Sequence, residues 1–227
     1  MGRIQMNKEI KKPRKNELTS LSRFKAVVIG ASAGGIDALG EILPRLPKTY
    51  PLPIIIVLHI PGDQPSLLSE LFGSKTKLRV KDADEKEAIQ PGTIYFACPG
   101  YHLLVERDLT LSLSQEDPVQ YARPSIDVLF ESAADAFGSN LVGVLLTGAN
   151  QDGAEGLKRI QEAGGLALIQ DPATAQVRSM PEAACALLSP SVEQILSLDE
   201  IAHLLLRLKG SDGILLASQE KTGTNAL

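Results

Sequence analysis

A serine, a histidine and an aspartate each close an apolar run in this chain. The runs are Lys25-Ala-Val-Val-Ile-Gly-Ala-Ser32, Ile54-Ile-Ile-Val-Leu-His59 and Leu141-Val-Gly-Val-Leu-Leu-Thr-Gly-Ala-Asn-Gln-Asp152. A hydroxyl, an imidazole and a carboxylate are the parts of a serine-hydrolase relay, in which the base takes the nucleophile's proton and the carboxylate orients the base. Ser32 lies in Gly30-Ala31-Ser32-Ala33-Gly34, the G-x-S-x-G spacing of a nucleophile elbow. Small neighbours suit a turn that pushes a hydroxyl outward. The N–H groups of Ala33, Gly34 and Gly35 would open the following helix and face the same site, where they suit an oxyanion. A phosphate-binding loop is the competing reading, but Ser32 stands where G-x-G-x-x-G needs its second glycine.

His59 is a candidate general base, or a structural histidine at a strand end. The following Pro61, Gly62, Asp63 and Pro65 read as a loop. Asp152 is a candidate orienting carboxylate, and equally the start of a capping box, Asp152-Gly-Ala-Glu155, on its own helix. His102 and His203 lack any motif context and read as structural.

The elements that must position these groups follow from the pattern of apolar residues. The three runs are short, continuous and β-branched, as expected of strands buried on both faces of a parallel sheet. Leu39, Ile42, Leu43 and Leu46 recur at helical spacing before Pro47. Leu157 and Ile160 belong to a helix ending at Gly164-Gly165. Ser197 and Glu200 form a capping box ahead of the stripe Ile201, Leu204, Leu205 and Leu208. Thr93–Ala97, His102–Arg107 and Leu109–Ser114 read as successive strands. The expected fold is therefore α/β, a doubly wound, mainly parallel sheet with helices on both faces and an antiparallel β-hairpin. In such a sheet the loops leaving the carboxyl ends of the strands meet in one crevice.

Six motifs in order make the pattern specific. They are Val28-Ile-Gly-Ala-Ser-Ala-Gly-Gly35, Leu58-His59-Ile-Pro61, Pro91-Gly-Thr-Ile-Tyr-Phe-Ala97, Arg123-Pro-Ser-Ile-Asp-Val-Leu-Phe130, Leu146-Thr-Gly-Ala-Asn-Gln-Asp-Gly-Ala154, and Ile169-Gln-Asp-Pro-Ala-Thr-Ala175 with Ser179-Met-Pro181. From about Phe24 to about Lys209 the chain resembles the catalytic domain of the CheB family, the chemotaxis protein-glutamate methylesterases. The resemblance implies a triad of Ser32, His59 and Asp152 and backbone oxyanion donors at Ala33 and Ala149. It implies hydrolysis of glutamyl γ-methyl esters on the cytoplasmic helices of a methyl-accepting chemoreceptor, with deamidation of receptor glutamine as a second reaction. It calls for no metal and no organic cofactor. Arg123 opens a family motif and is a candidate contact for substrate glutamates, or a helix-entry residue before Pro124. Met180 either lines the cleft or packs beneath it. Asp171 is a candidate cap for the turn at Pro172, and Arg178 a surface charge.

The chain departs from the family at Gly148-Ala149-Asn150, where Gly-Met-Gly is usual. The loss of the second glycine is expected to alter the turn. Family members also commonly carry an N-terminal receiver domain, for which the residues before Phe24 leave no room. The esterase is then expected to be constitutively active or gated by a separate regulatory protein. Two rival readings are a binding module that keeps the fold but has lost turnover, and a nucleotide-binding Rossmann-like protein. The latter lacks an acidic ribose partner about twenty residues past the loop.

Composition bounds these readings. The chain has 227 residues, 44% hydrophobic and 22% charged, as in ordinary globular proteins. The organisation expected is a basic, flexible arm over 1–23, a catalytic domain over 24–209 and a flexible tail over 210–227. Residues 1–25 hold eight Lys and Arg against two Glu, so the remainder is strongly acidic within an overall formal charge of −4. That arm could meet an acidic partner, but its few apolar anchors fit a disordered segment, and no nucleic-acid partner is expected. Two cysteines, Cys98 and Cys185, make no disulfide framework and fit a reducing cytoplasm. No apolar run reaches membrane-spanning length, so no membrane insertion is expected.

Overall fold

The computed structural model describes residues 21–60 and 67–210. The loop expected at 61–66, nearly all of the basic arm and the tail beyond Gly210 lie outside the described residues.

Seven strands form one parallel sheet. In chain order they are β1 (Ala26–Ala31), β2 (Ile54–Leu58), β3 (Arg79–Asp82), β4 (Thr93–Phe96), β7 (Leu141–Leu145), β8 (Leu166–Gln170) and β9 (Ile195–Leu196). Their spatial order is β3-β4-β2-β1-β7-β8-β9, and each neighbouring pair is parallel. The intervening strands β5 (His102–Val105) and β6 (Leu111–Ser114) form a separate antiparallel hairpin. The β-rich reading of 91–114 thus divides, with Thr93–Phe96 inside the main sheet and the other two strands outside it. The strand at Arg79–Asp82 is new. Its alternating polar residues and exposed edge give none of the continuous apolar signal of the inner strands.

Among the described residues six α-helices accompany the strands: α1 (Gly35–Ile42), α2 (Leu68–Gly73), α3 (Ile126–Phe137), α4 (Ala154–Glu162), α5 (Ser179–Leu188) and α6 (Leu198–Arg207). They cover the sheet on both sides, which is why the inner strands are apolar at every position. Val27, Ile29, Ile54, Ile56, Val142 and Val144 face a layer holding Leu39, Ile42, Ile201 and Leu205. Val28, Ile55, Val57, Leu141 and Leu145 face the opposite layer, with Phe130, Leu157, Ile160 and Met180. Successive residues of a strand point to opposite faces, so a parallel strand with two cores needs apolar side chains throughout. The capping box at Ser197 and Glu200 is formed as the sequence implies. Among the described residues no helix is long and apolar enough to cross a membrane.

The chain runs outward from β1 to β2 and beyond on one side, then returns to lay β7 on the other side of β1. The reversal of winding between β1 and β7 opens the crevice of a doubly wound sheet, at the carboxyl ends of its strands. On one face, α3 and α4 pack closely across this point. A Cβ on Gly156 would lie 2.6 Å from the Phe130 Cβ and 3.0 Å from the Asp127 Cα. Backbone atoms cannot swing aside as a flexible side chain can. Gly156→Ala is therefore expected to lower the unfolding free energy by about 1–3 kcal/mol, measured by urea denaturation.

Candidate active site

Each of the three chemistry-bearing side chains leaves the carboxyl end of an inner strand. Ser32 follows β1 directly, and His59 follows β2. The parallel register pairs Ala31 with Leu58, so the serine and histidine occupy the next step of adjoining strands. Two bonds fix that step: His59 N–H donates to the Ala31 carbonyl at 3.0 Å, and Ser32 N–H donates to the Thr147 carbonyl at 3.0 Å. The second draws the loop after β7 against the serine turn. Gly34 at φ 80° completes that turn and caps α1, a left-handed conformation that favours glycine.

Asp152 is fully buried, with its Oδ2 2.9 Å from His59 Nε2. The contact has ion-pair distance without hydrogen-bond alignment, and Nε2 has no other partner. With Nε2 committed to the aspartate, Nδ1 is the ring nitrogen left for a hydroxyl. The same carboxylate accepts from Ser125 Oγ at 2.8 Å, Ile126 N–H at 2.7 Å and Asp127 N–H at 3.0 Å. Asp152 therefore caps α3, whereas the capping-box reading assigned it to its own helix, α4. The reason is geometric. Gly153, in a left-handed conformation, is the N-cap of α4, and the preceding side chain turns back across the crevice to the start of α3. Burial alone would raise the Asp152 pKa. The His59 imidazole, the two N–H donors and the Ser125 hydroxyl outweigh it and hold the carboxyl below its ordinary range.

Behind Asp152 lies His102, also buried. Its Nδ1 accepts the Ser125 N–H at 3.2 Å, and its Nε2 donates to the Asp117 carbonyl at 3.1 Å. This pairing selects the Nε2–H tautomer. The reading of His102 as structural holds, but the structure it supports is the serine that bonds Asp152. Thr147 has a similar place under Ser32. Its Oγ1 lies 2.9 Å from the Ala33 carbonyl and 3.1 Å from the Val177 carbonyl, and accepts Val177 N–H at 2.9 Å. Gln170 Oε1 takes the Thr147 N–H at 2.8 Å. Neither residue announces itself in the sequence, because a threonine after a strand and a glutamine ending one are common.

The turn at Gly148-Ala149-Asn150 accommodates its missing glycine. Asn150 is not in the left-handed region, and its Oδ1 accepts the Asp152 N–H at 3.3 Å. A side-chain bond thus closes the turn where the family pattern has a second glycine. Gly148 is tightly surrounded, since a Cβ there would lie 2.5 Å from Met180 Cε and 3.0 Å from the Ser32 Cβ. Met180 is fully buried. It packs beneath this turn, and its N–H donates to the Gly148 carbonyl at 3.0 Å. Ala33 and Ala149 are both exposed.

An open cleft of about 430 Å³ extends from His59 past Ile60, Tyr121, Arg123 and Asn150. Arg123 is exposed, and its Nη1 donates to the Gln115 and Glu116 carbonyls at 2.8 and 2.9 Å. Beside it, Val119 and Ala122 exchange backbone bonds around a two-residue turn. Gln120 and Tyr121 at its tip have φ 48° and 63°, a conformation for which Asn-Gly is the usual choice. Tyr121 is completely exposed. Sequence inspection overlooked this rim because Val-Gln-Tyr-Ala carries no turn signal. Asp171 does cap its turn, its Oδ1 accepting Ala173 N–H at 2.9 Å, and Arg178 is exposed near Glu182. Among the described residues no cluster of three or more His, Cys, Asp or Glu is gathered as a metal site requires.

Fold and site together define an α/β protein with a serine-hydrolase-type constellation at its switch point. More particularly, the chain belongs to the CheB methylesterase family, whose model matches residues 27–205. A Leptospira interrogans protein, provisionally named a protein-glutamate methylesterase/protein-glutamine glutaminase, is 48% identical over 185 residues, 82% of this chain and 95% of that protein. Protein-glutamate methylesterase/protein-glutamine glutaminase 1 of Carboxydothermus hydrogenoformans is 40% identical over 194 residues, 83% of this chain and 56% of that protein. The crystal structure of the Thermotoga maritima CheB methylesterase catalytic domain superposes with a TM-score of 0.77 at 31% identity, covering 82% of this chain and 98% of the other. The expected fold class and family are those found.

The buried carboxylate sets a pH dependence. A depressed folded-state pKa adds stability that is fully present above the unfolded value of about 3.9, and that stability is lost as pH falls through the folded value. Asp152→Asn, which places an amide before two N–H donors, is expected to cost about 2–4 kcal/mol at neutral pH. In urea unfolding from pH 7 down to pH 3, the gap between wild type and variant should shrink toward the acid end. A constant gap would mean that the Asp152 charge contributes nothing to folding.

Proposed function

We propose that this chain is a protein-glutamate methylesterase that also deamidates glutamine, with Ser32 as nucleophile, His59 as general base and Asp152 as the orienting carboxylate. The observation that carries the reading is the 2.9 Å approach of a fully buried carboxylate to His59, one strand from Ser32. Ser32 Oγ attacks the ester carbonyl carbon as His59 Nδ1 takes its proton. Asp152 stabilises the imidazolium. The N–H groups of Ala33 and Ala149 receive the oxyanion. As the tetrahedral intermediate collapses, the bond from the acyl carbon to the methoxy oxygen breaks and His59 gives its proton to that oxygen, releasing methanol. Water, deprotonated by the same imidazole, then frees the glutamyl carboxylate from Ser32. With glutamine the leaving group is ammonia.

The substrate in this reading is the cytoplasmic helical region of a methyl-accepting chemoreceptor, and the site of action is the cytoplasm. Two free cysteines, Cys98 and Cys185, fit that compartment. The wide cleft suits a side chain presented by a large partner better than a small free ester. Arg123 at its rim supplies positive charge for glutamates flanking the target. Tyr121 supplies a rigid aromatic surface, and its strained turn is the kind of feature retained where function needs it.

Methanol release from a methylated receptor fragment tests the assignment. Ser32→Ala is expected to lower the rate by about 10³-fold or more. Equal release by wild type and variant would remove Ser32 from the nucleophile's role. Tyr121→Ala is expected to raise KM by about 3- to 10-fold with kcat little changed, the signature of lost substrate binding. An unaltered KM would place Tyr121 outside the contact surface.

A further inference from the structure

The bond from the start of α3 to Asp152 has a counterpart running the other way. Asp127, the second residue of α3, directs its carboxylate to α4. Its Oδ1 accepts Gly153 N–H at 2.9 Å and Gly156 N–H at 2.8 Å. Gly153 has no side chain with which to cap α4, so Asp127 supplies the cap. The two helices thus exchange caps: Asp152 satisfies the first N–H groups of α3, and Asp127 satisfies those of α4. Gly153 is the residue next to Asp152. A bond to its N–H therefore fixes the backbone immediately after the carboxylate that meets His59. The other Asp127 oxygen, Oδ2, accepts Gln120 Nε2 at 2.8 Å, and Gln120 precedes Tyr121 at the tip of the rim turn.

Asp127 is itself buried. Burial, first, pushes its carboxyl up to about 7, and the neighbouring Asp152 charge adds to the rise, while the N–H groups of Gly156 and Gly153 oppose it. Asp152 is shifted the other way. Asp152 faces the imidazole, and Asp127 faces helix ends, an amide and the neighbouring carboxyl.

We propose that Asp127 is a positioning residue for the esterase: by capping α4 it sets where the Asp152 carboxylate meets His59, and through Gln120 it ties that placement to the substrate-facing turn. The proposal rests on the methylesterase reading, in which misplacing a catalytic group by about 1 Å costs about 10²-fold in rate.

The test compares Asp127→Ala and Asp127→Asn in the full chain, with methanol release and the ¹⁵N shifts of the His59 imidazole as readouts. Those shifts report tautomer and carboxylate contact, and the chain has only three histidines to assign. Asparagine keeps the acceptor facing Gly153 and Gly156, and Gln120 can turn its amide to match. Asp127→Ala is expected to lower kcat by about 10- to 100-fold with KM changed less, and to move the His59 shifts. Asp127→Asn should recover kcat to within about threefold of wild type, with wild-type shifts. If alanine prevents folding, Asp127→Ser, which has one short hydroxyl in place of two carboxylate oxygens, is expected to show the same losses in smaller measure. Wild-type kcat and shifts in a folded Ala or Ser variant would overturn the proposal. So would a loss of kcat with unmoved His59 shifts. If wild type itself releases no methanol, the methylesterase reading fails, while the His59 shifts still report whether Asp127 places Asp152.

Discussion

The site depends on one buried negative charge. A carboxylate removed from water is costly unless donors replace its hydration. Asp152 is fully buried, and four groups surround it: the His59 imidazole at ion-pair distance, and three hydrogen-bond donors, the Ser125 hydroxyl and the N–H groups of Ile126 and Asp127. Two of the four belong to the first turn of α3. The helix must therefore begin at the crevice, and its N-terminal dipole favours the charge placed there. The imidazole is then held by a group that can accept its developing positive charge without moving.

The same constraint explains the glycines packed around this point. The start of α3 lies hard against β1 at Gly30 and against the lead-in to α4 at Gly153, where Ile126 fills the space a side chain would need. Gly156 lets α4 approach the backbone of α3. These close approaches bring the helix ends within hydrogen-bond reach of Asp152. On the Ser32 side, Thr147 and Gln170 bind the loop after β7 to the serine turn and to the segment before α5. The reacting groups sit on a rigid frame of strand ends, while the rim at Gln120-Tyr121 projects into solvent.

The altered turn at Gly148-Ala149-Asn150 shows how one local solution replaces another. A second glycine would supply conformational freedom. Asn150 instead supplies a side-chain acceptor for the Asp152 N–H. At the first glycine the constraint is space, because Met180 and Ser32 stand where a side chain would go.

The inner strands, the order Ser32, His59, Asp152 and the capped last helix were legible in the sequence. Each rests on short-range physics: continuous β-branched runs mark strands with two buried faces, and caps are local hydrogen bonds. The edge strand at Arg79–Asp82 was not legible, because an exposed edge carries no apolar signature. Nor were Ser125, His102, Thr147 and the turn at Tyr121, whose partners lie far away in sequence. Asp152 makes the division plain. Its sequence neighbours suggest a cap for the helix it precedes. The tertiary structure gives that task to Asp127 and turns Asp152 to the helix across the crevice. Local pattern can name a carboxylate and the turn it stands in. Only the packing of two helices against one sheet decides which N–H groups it reaches, because those donors come from segments that meet nowhere but in the fold.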